Sequence, residues 1–262
     1  MSFERILYTK EGRVAHVTIN RPEKLNAVDP LTSAELLDAF TDFKEDDAIW
    51  VAILTGAGDR AFSTGNDLVA TAMRGQGQGD MTPVRPAQFG GITRGFECWK
   101  PIIAAINGYC LAGGLEIALS CDIRICSPNA SFGLPEPTRG ITPGAGGTQR
   151  LPRVIPMAIA MKLLMTGGRI DAETALRAGL VSDVVPQDQL MAKAREIADE
   201  ICGCGPLAVR AVKEAVVRGR EMSLADGLNL ENEKSREIGR TEDAREGPLA
   251  FAQKRKPEYK GR

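Results

Sequence analysis

Residues Ile102 to Glu136 read IIAAINGYCLAGGLEIALSCDIRICSPNASFGLPE. Ile102 to Ile106 is a short continuous apolar run, the pattern of a buried strand. It breaks at Asn107-Gly108, and Ala112-Gly113-Gly114 then opens a helical run with Glu116 in its first turn. Backbone N–H groups at a helix start are unpaired and carry the positive end of the dipole. Glycines let another group approach them closely. A second acid, Glu136, follows twenty residues later, after another strand. The stretch therefore predicts one place where an oxyanion and two carboxylates meet, provided the fold returns Glu136 to Glu116.

Outward from this centre the chain alternates strands and helices. Val14 to Ile19 has the period of a half-buried strand and ends at Asn20-Arg21-Pro22. Asp29 caps a helix with Pro30 at its first position and Leu36, Leu37, Phe40 and Phe43 on one face. Ile49 to Leu54 is a second buried strand, running into the polar loop Phe62 to Leu68. This β/α order predicts an α/β fold with a largely parallel sheet and crossover helices.

Residues 71 to 91 break the alternation with Gly75-Gln76-Gly77-Gln78-Gly79, Pro83 and Pro86, and read as a flexible surface loop near a site. The glycine pattern there lacks a preceding strand, which argues against a dinucleotide fingerprint. After Glu136, the glycine-dense turn Gly140 to Arg150 feeds a helix and offers backbone N–H groups to the site.

From Met157 onward nearly everything reads as helix. Asp171 caps a short helix closed by Gly179, and Leu180 to Val185 is extended. Helices follow over Gln187 to Cys204, Pro206 to Val217, Leu224 to Ile238 headed by Ser223, and Pro248 to Arg255. The domain organisation expected is an α/β core with the site over residues 1–200 and a helical region over 201–262. No repeat of fixed period is visible.

Composition bounds the function. At 262 residues, 43% hydrophobic and 26% charged, the chain has the make-up of an ordinary globular protein with a sizeable core. A net charge of −1 gives no electrostatic case for nucleic acid or an anionic membrane as partner. The N-terminal residues have no apolar signal core, and the six cysteines form no C-x-x-C pair, so a cytoplasmic location with reduced thiols is expected. His16, the only histidine, lies in the first alternating strand. One histidine argues against a multi-histidine zinc site and a Ser-His-Asp triad, and no metal is expected.

The chemistry legible in these residues is acid–base work at a polarised carbonyl. Two carboxylates can divide into acid and base when burial or mutual repulsion raises one pKa. Two N–H donors converging on a carbonyl stabilise the enolate-like charge formed when a nucleophile adds to a conjugated acyl group.

Asn20-Arg21-Pro22 with Leu25-Asn26-Ala27, the run Phe62 to Leu68, Lys100 to Asp122, and Ser131 to Leu151 resemble the enoyl-CoA hydratase/isomerase (crotonase) superfamily. The likeness spans the chain in order, and Glu242 to Ala252 is most similar to the carnitinyl-CoA dehydratase branch. The resemblance implies a crotonase-like core of ββα units with a C-terminal helical trimerisation region, and homotrimers that pair into hexamers. It implies a hydro-lyase that adds water reversibly, in the syn sense, to a trans-2-enoyl-CoA, giving a 3-hydroxyacyl-CoA. The same chemistry on crotonobetainyl-CoA is the alternative. A non-catalytic CoA- or RNA-binding scaffold is the alternative of another class, against which the two intact glutamates and the near-neutral charge weigh.

Residue by residue, the resemblance makes Glu116 and Glu136 the catalytic acids and the N–H groups of Asn66 and Gly113 the oxyanion hole. Gly144 borders the second carboxylate. Lys24, Leu25 and Ala27 hold CoA, and Phe251 and Lys254 reach the CoA of an adjacent subunit. No cofactor is implied beyond the coenzyme A of the substrate. Two positions depart from the pattern: Asn66 stands where many relatives have a small apolar residue, and Val69 stands where the family has a phosphate-binding lysine.

Overall fold

The computed structural model describes residues 3–77 and 87–262. A hairpin of β1 (Ile6–Glu11) and β2 (Val14–Ile19) opens the chain, turning on Gly12 at φ +58°. Helix α1 (Pro30–Glu45) follows, with the Asp29 side chain accepting from the Thr32 N–H at its start. Leu36, Ala39, Phe40 and Phe43 are its buried apolar face. Each large side chain buried there contributes about 1.5–3 kcal/mol, so packing on the sheet outweighs the few tenths of helix propensity.

Three units of strand, strand and helix build the middle of the molecule. They are β3 (Val51–Gly56), β4 (Ala61–Ser63) and α2 (Leu68–Gly75); then β5 (Ile102–Ile106), β6 (Tyr109–Leu111) and α3 (Gly113–Ala118). The third is β7 (Ile123–Cys126), β8 (Ser131–Gly133) and α4 (Gly147–Val154). The first strand of each unit joins a six-stranded sheet of order β1-β2-β3-β5-β7-β10, and the second joins a four-stranded sheet of order β4-β6-β8-β9. Strand β9 is Arg169–Asp171 and β10 is Asp183–Val184. The large sheet is parallel except for the β1–β2 hairpin; in the small sheet only the β8–β9 pair is antiparallel.

The sequence expectation of one parallel sheet with crossover helices is thus corrected to two sheets, joined by tight corners after β3, β5 and β7. Asparagines hold these corners together. Asn107 Nδ2 donates to the Gly56 and Gly58 carbonyls at 2.7 and 2.6 Å, and Asn129 Nδ2 donates to the Asp59 carbonyl at 3.0 Å. Asn26 Nδ2 donates to Ala57 and Ala61 at 3.0 and 2.7 Å. A corner exposes backbone carbonyls that no ladder satisfies, and a short amide is the side chain that reaches them.

The first strands of the units are buried on both faces, which explains their continuous apolar runs. Leu54, Ala104 and Ile106 belong to the main core with α1 and α3, while Val51, Ile53, Ile103 and Ala105 pack against Leu190, Ala194 and Ala198 of α7 (Leu190–Cys202). Helices α5 (Met157–Thr166) and α6 (Ala172–Arg177) flank β9, and α8 (Pro206–Gly219), α9 (Leu224–Ile238) and α10 (Glu242–Ala252) complete the chain.

Two element expectations shift. The loop expected from residue 71 begins later, because Asp67 Oδ1 accepts from Ala70 N at 3.0 Å and starts α2, which continues to Gly75. Residues 78–86, with Pro83 and Pro86 of that expected loop, lie outside the described residues. The last helix begins at Glu242 rather than Pro248: Thr241 caps it, Glu242 and Asp243 suit its positive end, and Pro248 sits inside it. No helix of the described residues is long and apolar enough to cross a membrane.

Candidate active site

The small sheet and the turns that leave it enclose a cavity of about 690 Å³. Leu25, Asn66, Gly113, Glu116, Glu136 and Gly144 all line it. Asn66 comes three residues after β4, Gly113 two after β6 and Glu136 three after β8, so three parallel neighbours deliver their groups at the same edge.

The start of α3 is built by an unusual turn. Ala112 has φ +52° and ψ −133°, a conformation that costs an L-residue about 1–3 kcal/mol. Its N–H donates to the Gly133 carbonyl at 2.9 Å, and its own carbonyl accepts from Leu115 and Glu116 N–H. The chain thereby turns from strand to helix within one residue. Gly65, at φ +84°, sits against this turn: a Cβ there would lie 2.6 Å from the Gly113 nitrogen. Only glycine fits both the backbone angle and the approach.

Two N–H groups are left over at this contact. Val28 N donates to the Gly65 carbonyl at 2.7 Å, and Asp67 N donates to the Val28 carbonyl at 3.0 Å. In that parallel bridge the bonds flank Asn66, so its own N–H points away from Val28. Gly113 occupies the first position of α3, where no intrahelical acceptor exists. Among the described residues neither N–H donates to a protein acceptor.

The loop carrying Asn66 is braced from behind. The buried Arg21 guanidinium donates to the Ala27 carbonyl and to Asp67 Oδ2 at 3.0 Å, and lies 3.4 Å from Asp29. This bracing residue sits in a motif the sequence displayed without revealing its partner.

The two carboxylates are held differently. Glu116 is buried, and its Oε1 accepts from Ala145 N and Gly147 N, both at 2.7 Å. Those donors come from the glycine-dense turn at the head of α4. Arg150 fixes that turn by donating to the Ala145 carbonyl at 3.1 Å and to the Thr93 carbonyl at 2.8 Å. Glu136 is 8% exposed, and its Oε2 is buried without a hydrogen-bond partner. Burial pushes its pKa from 4.5 to about 6; a bond from its own backbone N–H opposes the shift, the negative charge of Glu116 adds to it, and Arg139 opposes it.

The remaining expected positions lie elsewhere. Lys24 is exposed on a turn over Pro22–Lys24, and Ala27 is buried behind it; neither lines the cavity. Phe251 is 86% exposed near the end of α10, and Lys254 is exposed just beyond it, both outside the cavity of their own chain. Sequence reasoning missed Phe89, Tyr109, Arg139, Ile141 and Arg169, which also line the cavity. Tyr109 and Arg169 lie on short strands of the small sheet, which carry too few residues to show a period.

Among the described residues no group of three or more His, Cys, Asp or Glu is placed to hold a metal ion. The site can therefore stabilise a carbonyl oxyanion with two N–H donors and move protons with two unlike carboxyls.

A family model described as enoyl-CoA hydratase/isomerase matches residues 9–262. The chain is 44% identical over 265 residues to the carnitinyl-CoA dehydratase of Citrobacter koseri, covering 99% of each protein. It is 46% identical over 258 residues to that of Proteus mirabilis, covering 97% of each. A crystal structure of enoyl-CoA hydratase from Mycobacterium tuberculosis superposes with a TM-score of 0.91 at 38% identity, over 98% of this chain and 99% of that one. One from Bacillus anthracis superposes at 0.87 with 38% identity, over 99% of this chain and 100% of that one.

Proposed function

Since the chain belongs to the enoyl-CoA hydratase/isomerase family, we propose that it is a hydro-lyase that adds water reversibly across C2=C3 of a trans-2-enoyl-CoA. The observation that carries this reading is the pairing, in one cavity, of an anchored Glu116 with an unpartnered Glu136 of raised pKa.

In the proposed reaction the thioester oxygen faces the N–H groups of Asn66 and Gly113. Charge developing there is stabilised by both donors and by the start of α3. One water lies between the carboxyls. Its oxygen bonds to C3 while its proton passes to Glu116, whose other oxygen is already fixed by Ala145 and Gly147. Glu136 gives its proton to C2 from the same side, which makes the addition syn. Proton transfer from Glu116 to Glu136 resets the pair, and dehydration runs the same steps backwards. The test is loss of the conjugated absorbance of enoyl-CoA thioesters, crotonyl-CoA among them, on adding the protein, and persistence of that absorbance with every thioester refutes the reading.

A second reading, dehydration of carnitinyl-CoA to crotonobetainyl-CoA, is favoured by the 44–46% identity to two carnitinyl-CoA dehydratases. A panel of enoyl-CoAs that includes crotonobetainyl-CoA separates the two.

We also propose assembly into trimers or hexamers. Met157, Met161 and Met165 recur every fourth residue on α5 and are exposed, as are Val212 and Val216 on α8. Exposed apolar stripes of this kind mark surfaces that another chain covers. In such an assembly Phe251 and Lys254 would serve a neighbour's CoA. All six cysteines are free, four of them buried, which suits a reducing compartment such as the cytoplasm.

A further inference from the structure

The small sheet fixes an order of groups along the cavity. Across strands β4, β6, β8 and β9 come the Asn66 donor, the Gly113 donor, Glu136 and then Arg169, the first residue of β9, paired with Gly133. Neighbouring strands lie about 4.8 Å apart, so a ligand laid across these strand ends passes the groups in that sequence. The proposed function puts the thioester carbonyl at the first two donors and C2 at Glu136, so the acyl chain beyond C3 points toward β9. CoA then lies toward the β4 end, which Leu25 marks, its carbonyl accepting from Thr64 N at 3.2 Å.

That end of the cavity is cationic. Arg169 lies with its guanidinium 5.6 Å from the centre of the Tyr109 ring. A Cβ on Gly133 would come 3.2 Å from its Cγ, so the glycine gives the arginine stem room to lie along the sheet. Arg139 approaches from the turn that begins at Glu136, its guanidinium donating to the Pro135 carbonyl at 3.4 Å and to Thr138 Oγ1 at 3.2 Å. Neither arginine forms an ion pair with a carboxylate of a described residue, and the acids lining the cavity are Glu116 and Glu136. Arg139 acts on Glu136 through its charge, but no carboxylate of a described residue bridges either guanidinium, so at the end of the acyl path the two form a receptor for an anion that arrives with the substrate.

We propose that Arg139 and Arg169 bind a carboxylate at the far end of the acyl group, so that the preferred substrate is the CoA thioester of a short unsaturated dicarboxylic acid. The proposal rests on the hydratase reading and makes it more specific. A guanidinium presents a planar fork that matches a carboxylate with two parallel bonds, and charge-assisted bonds are the strong ones. The same positive charge opposes a trimethylammonium tail, which the second reading requires. A phosphate of CoA has the same chemistry as a receptor partner, but it would have to reach the edge opposite to Leu25.

The experiment compares kcat/KM for four thioesters: the six-carbon trans-2-enedioyl-CoA, its terminal methyl ester, crotonobetainyl-CoA and crotonyl-CoA. The wild type prefers the free acid over the methyl ester by about tenfold or more, the worth of a charged hydrogen bond. In Arg139→Gln and in Arg169→Gln that ratio falls toward one, and the Lys variants restore part of it. Inhibition by free CoA is measured on the same variants. A wild-type ratio near one, a preference for crotonobetainyl-CoA, or a ratio unchanged by both Gln substitutions overturns the proposal. So does weaker inhibition by free CoA at an unchanged ratio, which assigns the arginines to CoA phosphates. Crotonyl-CoA separates the two levels: its turnover without acid preference sinks only this inference, and no turnover of any thioester sinks the hydratase reading with it.

Discussion

Glu116 and Glu136 line one cavity, yet Glu116 Oε1 holds two backbone N–H donors at 2.7 Å while Glu136 Oε2 is buried and holds none. One carboxyl is oriented by the backbone and the other is left to titrate. Replacing Glu116 by Gln keeps an acceptor for Ala145 and Gly147, so the fold and CoA binding survive. Glu116→Gln and Glu136→Gln each lower turnover by about two to four orders of magnitude. Because both act on one water, the double variant is little worse than the poorer single one. Near-normal hydration by either single variant removes that residue from the mechanism.

The raised pKa of Glu136 sets one pH limit for both directions of the reaction. Hydration uses the proton held on Glu136, and dehydration uses the same proton after it has passed to Glu116, so turnover in both directions falls as pH rises through about 6. Profiles of kcat/KM measured in both directions with Glu136→Gln as reference check this, and a profile that rises through that range in either direction refutes it.

The same shift has a cost in stability. A carboxyl with a folded pKa of about 6 and an ordinary value of 4.5 favours the folded state most when protonated. That contribution is complete below pH 4.5 and is lost as pH rises through about 6. Glu136→Gln is therefore more stable relative to wild type at pH 8 than at pH 4.5, by up to about 2 kcal/mol. Thermal unfolding at the two pH values reads the difference, and equal gaps at both exclude it.

The donor at position 113 can be separated from the space around it. A Cβ there meets the Phe89 ring at 2.4 Å, so Gly113→Ala displaces Phe89 but keeps the N–H. Gly113→Pro adds loss of the donor at a first helical position that proline tolerates. Turnover by the Pro variant is lower than by the Ala variant by about a hundredfold or more. Asn66→Ala is much milder, since it removes only a side chain bonded to Thr71 and keeps the N–H. Circular dichroism and CoA binding establish that each variant is folded. Equal turnover by the Pro and Ala variants rules out the Gly113 donor.

Assembly is tested by truncation at the observed helix boundary. Light scattering on the whole chain gives a trimer or hexamer. Removing residues from Glu242 onward takes away α10 and the tail whose Lys260 and Gly261 N–H groups bind Asp243. Assembly and CoA affinity weaken together in that variant. A stable, fully active monomer contradicts the proposed arrangement.

What the sequence made legible was local. Asp29, Asp171 and Ser223 cap helices as their chemistry requires, and the apolar run Ile102 to Ile106 is a strand buried on both faces. Residues 113, 116, 136 and 144 share one cavity. The two-sheet arrangement was not legible, because strands of three residues such as Ala61–Ser63 and Tyr109–Leu111 are too short for a pattern of alternation. The ββα units that the resemblance implied are present, but no spacing reveals them: the large-sheet strands of the three units begin at Val51, Ile102 and Ile123, intervals that share no period. The last helix was misread because Pro248 resembles a helix start, whereas the cap Thr241 lies seven residues before it.

The corner asparagines imply a division of labour in how such a chain diversifies. Asn26, Asn107 and Asn129 tie the corners of the framework together, while the reacting groups stand at the ends of small-sheet strands. Cavity-wall side chains such as Ile141 and Leu68 take no part in those ties. Substrate range is then free to drift at the wall while the corners that set the strand ends are inherited unchanged.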